Sequence, residues 1–407
     1  MNPPGTIERG FAMILLLIST GAFTNLFLGR SFDPTAGLPF MQAIWAAIYF
    51  VVLLLLLQEG KAAWSVLLNG WSFLPLLAVV LLSFAWSDAQ GLTARRGLAL
   101  LATTITGLYL AVRYDFAQQI RLLMPVFKIS VVCSFIFSAL QLGKSVDNLP
   151  DAWFGIFPQR NSLGTMMSLS ILVFVLWSRI EPQEQWGAYC WAFLSFVLLA
   201  LSRSATGFLS LGAVILFLVL LRQIRLHPQR SRRIVLLAVV VACYGLSYTV
   251  THFNTAVEML DRDVTLSGRT TIWGSALILG MDRLWIGHGY NAFWLGDVGL
   301  SGAVRQIAGW DVPGAHNGFL EIWLDLGLLG FTLFFLGFIR HTRKAVQCFL
   351  REDRWESAWP ILFLVFLFVV NLAQSDLLSP NYILWTVYAT ISYRACLMTA
   401  ARSAGAA

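Results

Sequence analysis

FAMILLLISTGAFTNLFL, residues 11–28, runs for eighteen residues without a charged side chain. A helix that crosses the hydrocarbon core of a bilayer needs about 20 mostly apolar residues. The run is followed by Gly29-Arg30-Ser31-Phe32 rather than a small-residue cleavage site, so it reads as a first transmembrane helix and not a removable signal. Similar runs recur along the whole chain. They start near Phe11, Pro39, Phe73, Gly97, Arg121, Leu163, Gly187, Ala205, Ile234, Gly318, Pro360 and Tyr382. About twelve spans are therefore expected in one all-α, polytopic membrane domain covering residues 1–407.

Composition agrees. Of the 407 residues 58% are hydrophobic and 12% charged, against about 25% charged in a soluble domain. A water-soluble globule, a disordered chain and a secreted disulfide scaffold are excluded. The 28 Lys and Arg against 21 Asp and Glu leave a net charge of +7. That is too sparse a charge to read as a nucleic-acid surface. The five cysteines are scattered, with no CxxC spacing, and read as small buried hydrophobes.

Cations in the loops set the orientation. With the N-terminus cytoplasmic, seventeen fall inside, including the cluster Arg222 to Arg233. Both termini are then expected inside. Ten remain outside, among them Arg95, Arg96, Arg160, Arg203, Arg269, Arg283 and Arg305, and Lys128 falls within a span. So many external cations in mostly short loops call for a reason. The exception is a long external loop at 251–317 between the ninth and tenth spans. Within it Thr270 to Leu284 has helical apolar spacing and reads as an amphipathic helix lying on the membrane surface or capping a cavity, and Asn291 to Gly314 as Gly- and Asp-rich loop.

Three external stretches carry candidate chemistry: Leu201 to Gly207, Leu266 to Trp273, and His316-Asn317-Gly318-Phe319-Leu320-Glu321. Arginines beside helix N-termini suit an anionic phosphate, which guanidinium forks bind bidentately. A histidine at the membrane boundary suits a general base. Each feature also has a plain structural reading: arginines on lipid head groups, aromatic residues as a boundary belt, His316 as a packing residue. A zinc site from His252, His288 and His316 lacks any HxxxH or HExxH pairing, so no metal is expected. Asp325 lies about 13 Å deeper than His316 at helical rise and is expected to pair with an intramembrane cation.

The combination is more telling than its parts. His316-Asn317, nine residues, Gly327, two residues, Gly330 resembles the signature of the bacterial O-antigen ligase and polymerase superfamily. Gly268-Arg269-Thr270-Thr271-Ile272-Trp273 and Gly287-His288-Gly289-Tyr290 fit the same pattern. Phe154 to Gly164, Asn291 to Trp294, Ser87-Asp88 with Arg95-Arg96, and Gln374-Ser375-Asp376 are most similar to its exopolysaccharide-polymerase branch.

The resemblance implies a GT-C-type glycosyltransferase of the bacterial inner membrane with a periplasmic active site. It would be metal-independent and need no cofactor beyond undecaprenyl diphosphate as donor carrier. His316 would be the general base, with Arg269, Arg203 and Arg160 on the donor diphosphate. Arg95, Arg96, Asn317, Tyr290, Glu321 and Asp325 would contact substrate or support the site. The natural register puts Ala205 where the family has its second basic residue, with Arg203 two positions earlier. Implied partners are a lipid-linked oligosaccharide, an acceptor glycan or lipid A-core, membrane lipids and a chain-length regulator, with no nucleic acid. Repeat-unit polymerase is the leading reading. O-antigen ligase is the nearest alternative, and a lipid or polysaccharide transporter, with Lys128 in a coupling site, comes from another class.

Overall fold

The structure, a computed structural model, describes residues 4–23, 39–142, 152–227 and 269–404, with positions 229 and 233. No β-strand occurs among the described residues. In chain order the helices are α1 (Thr6–Ser19), α2 (Pro39–Gln58), α3 (Gly60–Asn69), α4 (Phe73–Leu82), α5 (Gln90–Arg113), α6 (Phe116–Ala139) and α7 (Arg160–Ile180). There follow α8 (Gln185–Ser202), α9 (Ala205–Leu226), α10 (Arg269–Gly280), α11 (Gly299–Ala308), α12 (Gly318–Arg351), α13 (Trp359–Asn371) and α14 (Ile383–Ala404).

Six helices among the described residues are long and apolar enough to span a membrane: α2, α6, α7, α9, α12, and α8 with its leading turn. A seventh is possible if α3 and α4, bent by 87°, count as one. The chain is a multi-pass membrane protein, but the expected twelve spans are not reproduced. The reasons are local. The ninth run, near Ile234, lies outside the described residues, and α13 has only 13 residues. Two further helices, α5 and α14, are long but polar. They lie along each other, and their threonines (Thr103, Thr104, Thr386, Thr390) are buried in protein rather than facing lipid. A helix sheathed by other helices need not be apolar all round.

Helix α7 is the hub, with 78% of its most apolar window buried. It packs between α8 and α9, and α9 in turn packs on α13. The α7–α9 crossing is close because it is made of small residues. A Cβ on Gly207 would lie 2.9 Å from the Gly164 backbone, and Ser168 Oγ donates to the carbonyl oxygen of Gly207 at 2.7 Å. Small residues and hydroxyls replace the hydrophobic effect as the helix glue in lipid.

The bundle has two polar ends. At one, Arg113 ion-pairs with both Glu8 and Glu59, and Arg121 with Glu181. Arg225 of α9 donates to the Glu352 and Arg354 carbonyls and to Ser357 Oγ. At the other end lie the N-termini of α5, α7, α9 and α12 and the described part of the long loop. Lys128 sits in α6 with its ammonium 5.8 Å from the Trp191 ring centroid, a cation–π contact.

In the long loop, residues 251–268 lie outside the described set. Its amphipathic segment forms α10, with Ile272, Ser275 and Ala276 buried. That face packs with Phe293, Val304, Trp323 and Leu324, so the helix is docked on the protein. The stretch read as Gly- and Asp-rich loop holds a further helix, α11. Two glycines in ten residues obscured it. Packing against α10 buries Ser301, Gly302 and Val304, and Gly309 at φ 77° terminates it.

Candidate functional site

The site is built around a break in α12. Gly327 sits at φ 65° and ψ −167°, a conformation essentially reserved for glycine. The break frees backbone groups on both sides, and residues 284–289 satisfy them. The N–H groups of Leu328 and Leu329 donate to the carbonyls of Leu284 and Trp285. Those of His288 and Gly289 donate to the carbonyls of Leu324 and Asp325, all within 3.1 Å. A Cβ on Gly327 would lie 2.2 Å from the Trp285 carbonyl carbon, and one on Gly287 2.4 Å from that of Asp325. The glycines of the two sequence motifs thus let two backbones dock directly.

This docking carries Tyr290 and Asn291 to the mouth of the helix bundle. There a cavity of about 450 Å³ is lined by Arg96, Tyr290, Asn291, Trp294, His316, Glu321 and Asp325, by Gln159 and Asn161 before and in α7, and by Gln374 to Pro380 between α13 and α14. Of the residues expected at the site, the fold brings Arg96, Tyr290, His316, Glu321 and Asp325 together here.

His316 is half-buried at φ 50°, stacked on Trp310 with ring centroids 6.3 Å apart. Burial, with the nearby Arg269 guanidinium, lowers its pKa to about 4, so the ring is neutral near pH 7 and its lone pair is available. The residue before it, Ala315, is held on both sides. Glu321 accepts from the Ala315 N–H at 2.6 Å, and the Trp273 indole N–H donates to the Ala315 carbonyl oxygen at 2.8 Å. Glu321 also accepts from Ser375 Oγ at 3.0 Å.

The ion pair expected for Asp325 is not found among the described residues, and Asn317, Tyr290 and Arg95 take distinct places. One Asp325 oxygen accepts from the Asn291 N–H at 2.8 Å and the other is buried without a hydrogen-bond partner. The break in α12 brings backbone donors to a carboxylate that a continuous helix would have left in need of a cation. Asn317 caps α12, its side-chain oxygen accepting from the N–H groups of Phe319 and Leu320 at 3.0 and 3.1 Å; its side chain is spent on the helix. Tyr290 is 1% exposed and donates its hydroxyl to the Leu378 carbonyl, closing one wall. Arg95 lines a separate surface concavity with Leu92, Leu295 and Val298.

The remaining arginines stand outside the cavity lining. Arg203 is the exposed C-terminal cap of α8 at φ 51°, and its carbonyl accepts from Arg160 Nη1 at 3.4 Å, so these two are neighbours. Ala205, exposed, opens α9. Arg269 opens α10. Two external cations have plain roles: Arg283 pairs with Asp88 at 2.9 Å and Arg305 with Asp297 at 2.8 Å. His288 bonds Asp88 through Nδ1 at 3.0 Å, and His252 lies outside the described residues.

Sequence reasoning quoted Gln374-Ser375-Asp376 for the family resemblance but named none of them as a site residue. Asp376 lies on the cavity wall with one buried oxygen lacking a partner, and burial raises its pKa to about 7. The available signal was a polar Gln-Ser-Asp run between two apolar helices. Gln374 donates to Thr165 Oγ1 at 2.6 Å, tying this wall to α7.

Residues 188–335 match the family model described as O-antigen ligase. That stretch holds Arg203, Arg269, Tyr290, His316, Glu321 and Asp325; Arg95, Arg96 and Arg160 precede it. The chain is also similar to the exopolysaccharide production protein ExoQ of Rhizobium meliloti (strain 1021). The two are 27% identical over 366 residues, covering 84% of this chain and 81% of the relative. Both matches bear out the resemblance to the O-antigen ligase and polymerase superfamily.

Proposed function

From this similarity to O-antigen ligases and to an exopolysaccharide production protein, we propose that the chain transfers a glycan from an undecaprenyl-diphosphate carrier to an acceptor hydroxyl. Polymerisation of exopolysaccharide repeat units is the favoured form, because the similarity to ExoQ runs along most of both chains. The observation that carries the reading is His316 on the wall of a cavity that it shares with Arg96, Glu321 and Asp325, with Arg269 at the start of α10 near enough to act on its ring.

In the step this supports, the acceptor oxygen attacks the donor's anomeric carbon while His316 takes the hydroxyl proton. The bond from that carbon to the phosphate oxygen breaks, and the lipid diphosphate leaves with the electron pair. Its growing charge falls to Arg269, with Arg160 and Arg203 as a neighbouring pair. Direct displacement inverts the anomeric centre. The cavity's amide and carboxyl side chains suit sugar hydroxyls. In this reading the site is periplasmic and the Arg113 end cytoplasmic, in the bacterial inner membrane. A transporter is less favoured, since Lys128 sits against Trp191.

Purified protein in lipid nanodiscs, given a polyprenyl-diphosphate oligosaccharide and an acceptor oligosaccharide, tests this. Wild type should release polyprenyl diphosphate as the glycan lengthens, and His316→Ala should lose at least about 100-fold in rate. Full transfer by His316→Ala would refute the base assignment. Transfer to lipid A-core in place of glycan would replace polymerase by ligase.

A further inference from the structure

The geometry points to Glu321 and Trp273 as a positioning pair for His316, acting through the Ala315 peptide without touching the reacting atoms. The inference rests on the proposed role of His316 as base. A histidine at φ 50° occupies a backbone region that L residues with side chains rarely enter, and it persists only where its surroundings over-determine it. Here they do. The residue before it, Ala315, has its N–H held by Glu321 and its carbonyl by the Trp273 indole, so the peptide units on both sides of its Cα are fixed. On the far side, Asn317 fixes the start of α12. Gly314 completes the fit, since a Cβ there would lie 2.7 Å from Glu321 Oε1.

The two holders come from different elements, and that gives the pair its meaning. Glu321 sits in the first turn of α12, the helix His316 precedes. Trp273 is one turn into α10, the helix that Arg269 opens. The Trp273–Ala315 bond therefore ties the helix bearing the diphosphate-binding candidate to the peptide bearing the base. Ser375, on the wall between α13 and α14, donates to the same Glu321 oxygen. Glu321 needs only to accept hydrogen bonds for this role. Its chemistry is that of a brace, and a carboxamide oxygen can do the same.

The test uses the full chain in nanodiscs with the same donor and acceptor, reading kcat and donor KM separately. Glu321→Ala is expected to lower kcat by about 10- to 100-fold with donor KM within about threefold, since small displacements of a reacting group carry penalties of that order. Glu321→Gln should restore kcat to within about threefold of wild type, with the acid limb of the pH profile unmoved. Trp273→Phe, which keeps an aromatic side chain but removes the donor N–H, should lower kcat by about tenfold and serves if Glu321→Ala fails to fold. Wild-type kcat in Glu321→Ala or in Trp273→Phe would overturn the pair. So would a Glu321→Gln variant as impaired as Glu321→Ala, which would make the charge itself part of the chemistry. If instead His316→Ala is active, the reading of the base fails and not the bracing.

Discussion

The two polar ends of the bundle use the same residue types to opposite effect. At the Arg113 end, cations and carboxylates meet: Arg113 lies between Glu8 and Glu59, and the side chains of Arg113 and Glu8 are only 10% and 14% exposed. At the His316 end, the carboxylates of Glu321, Asp325 and Asp376 line one cavity, and none of them is ion-paired among the described residues. They meet backbone N–H groups or hydroxyls, or keep an oxygen without a partner. Charge that is matched within the protein holds helices together. Carboxyl groups left without a cation beside a cavity keep hydrogen-bonding capacity that the fold does not use.

That contrast can be broken from either side. The largest effect is expected at the hinge between architecture and site. Gly327→Ala places a methyl 2.2 Å from the Trp285 backbone in a conformation only glycine favours, and should leave little folded protein by size-exclusion chromatography. A well-folded Gly327→Ala would mean that the docked backbone is not required. Arg113→Ala comes next. It strands two carboxylates and should lose about 3–5 kcal/mol of stability, read by unfolding in detergent, while kcat of the surviving folded protein stays near wild type. Activity lost without stability would erase the distinction between the ends.

The third prediction concerns pH. His316 is held near 4, below its ordinary value of 6.5. Between those values the unfolded chain binds more protons at this site than the folded one, so its contribution to stability is complete above about 6.5 and is lost as pH falls towards 4. The acid limb of kcat/KM, which reports the free enzyme, is expected near 4. Arg269→Gln removes one of the two causes and should move that limb upward; an unmoved limb would separate Arg269 from the base. Bound diphosphate, by offsetting Arg269, should place the kcat limb above that of kcat/KM. The smallest effect is expected from Asn317→Ala, which removes the cap of α12 at a cost of about 1 kcal/mol, measurable by chemical denaturation.

Much of this was legible in the chain itself. Eleven of the twelve expected runs correspond to described helices, with starts up to seven residues apart, because an apolar run of that length has few alternatives in lipid. The count of spans was less legible, since hydropathy does not distinguish a helix facing lipid from one such as α5, sheathed by α14. At the site, the glycines and His316 stood out by spacing. Gln374-Ser375-Asp376 stood out only through the resemblance, and not as a site wall, because polar residues between two apolar runs look like any other loop. For Asn317 the sequence left substrate contact and support open, and its partners, the first N–H groups of α12, are those of a supporting cap.

Sequence by itself determined that this chain is helical, membrane-embedded and similar to glycan ligases and polymerases, because those properties follow from composition and from motifs along one strand of text. Only the tertiary structure decided which polar groups share a cavity and which are consumed in holding the fold. That decision rests on contacts between residues far apart in sequence: Ala315 between Trp273 and Glu321, and Asp325 against Asn291 across the break at Gly327.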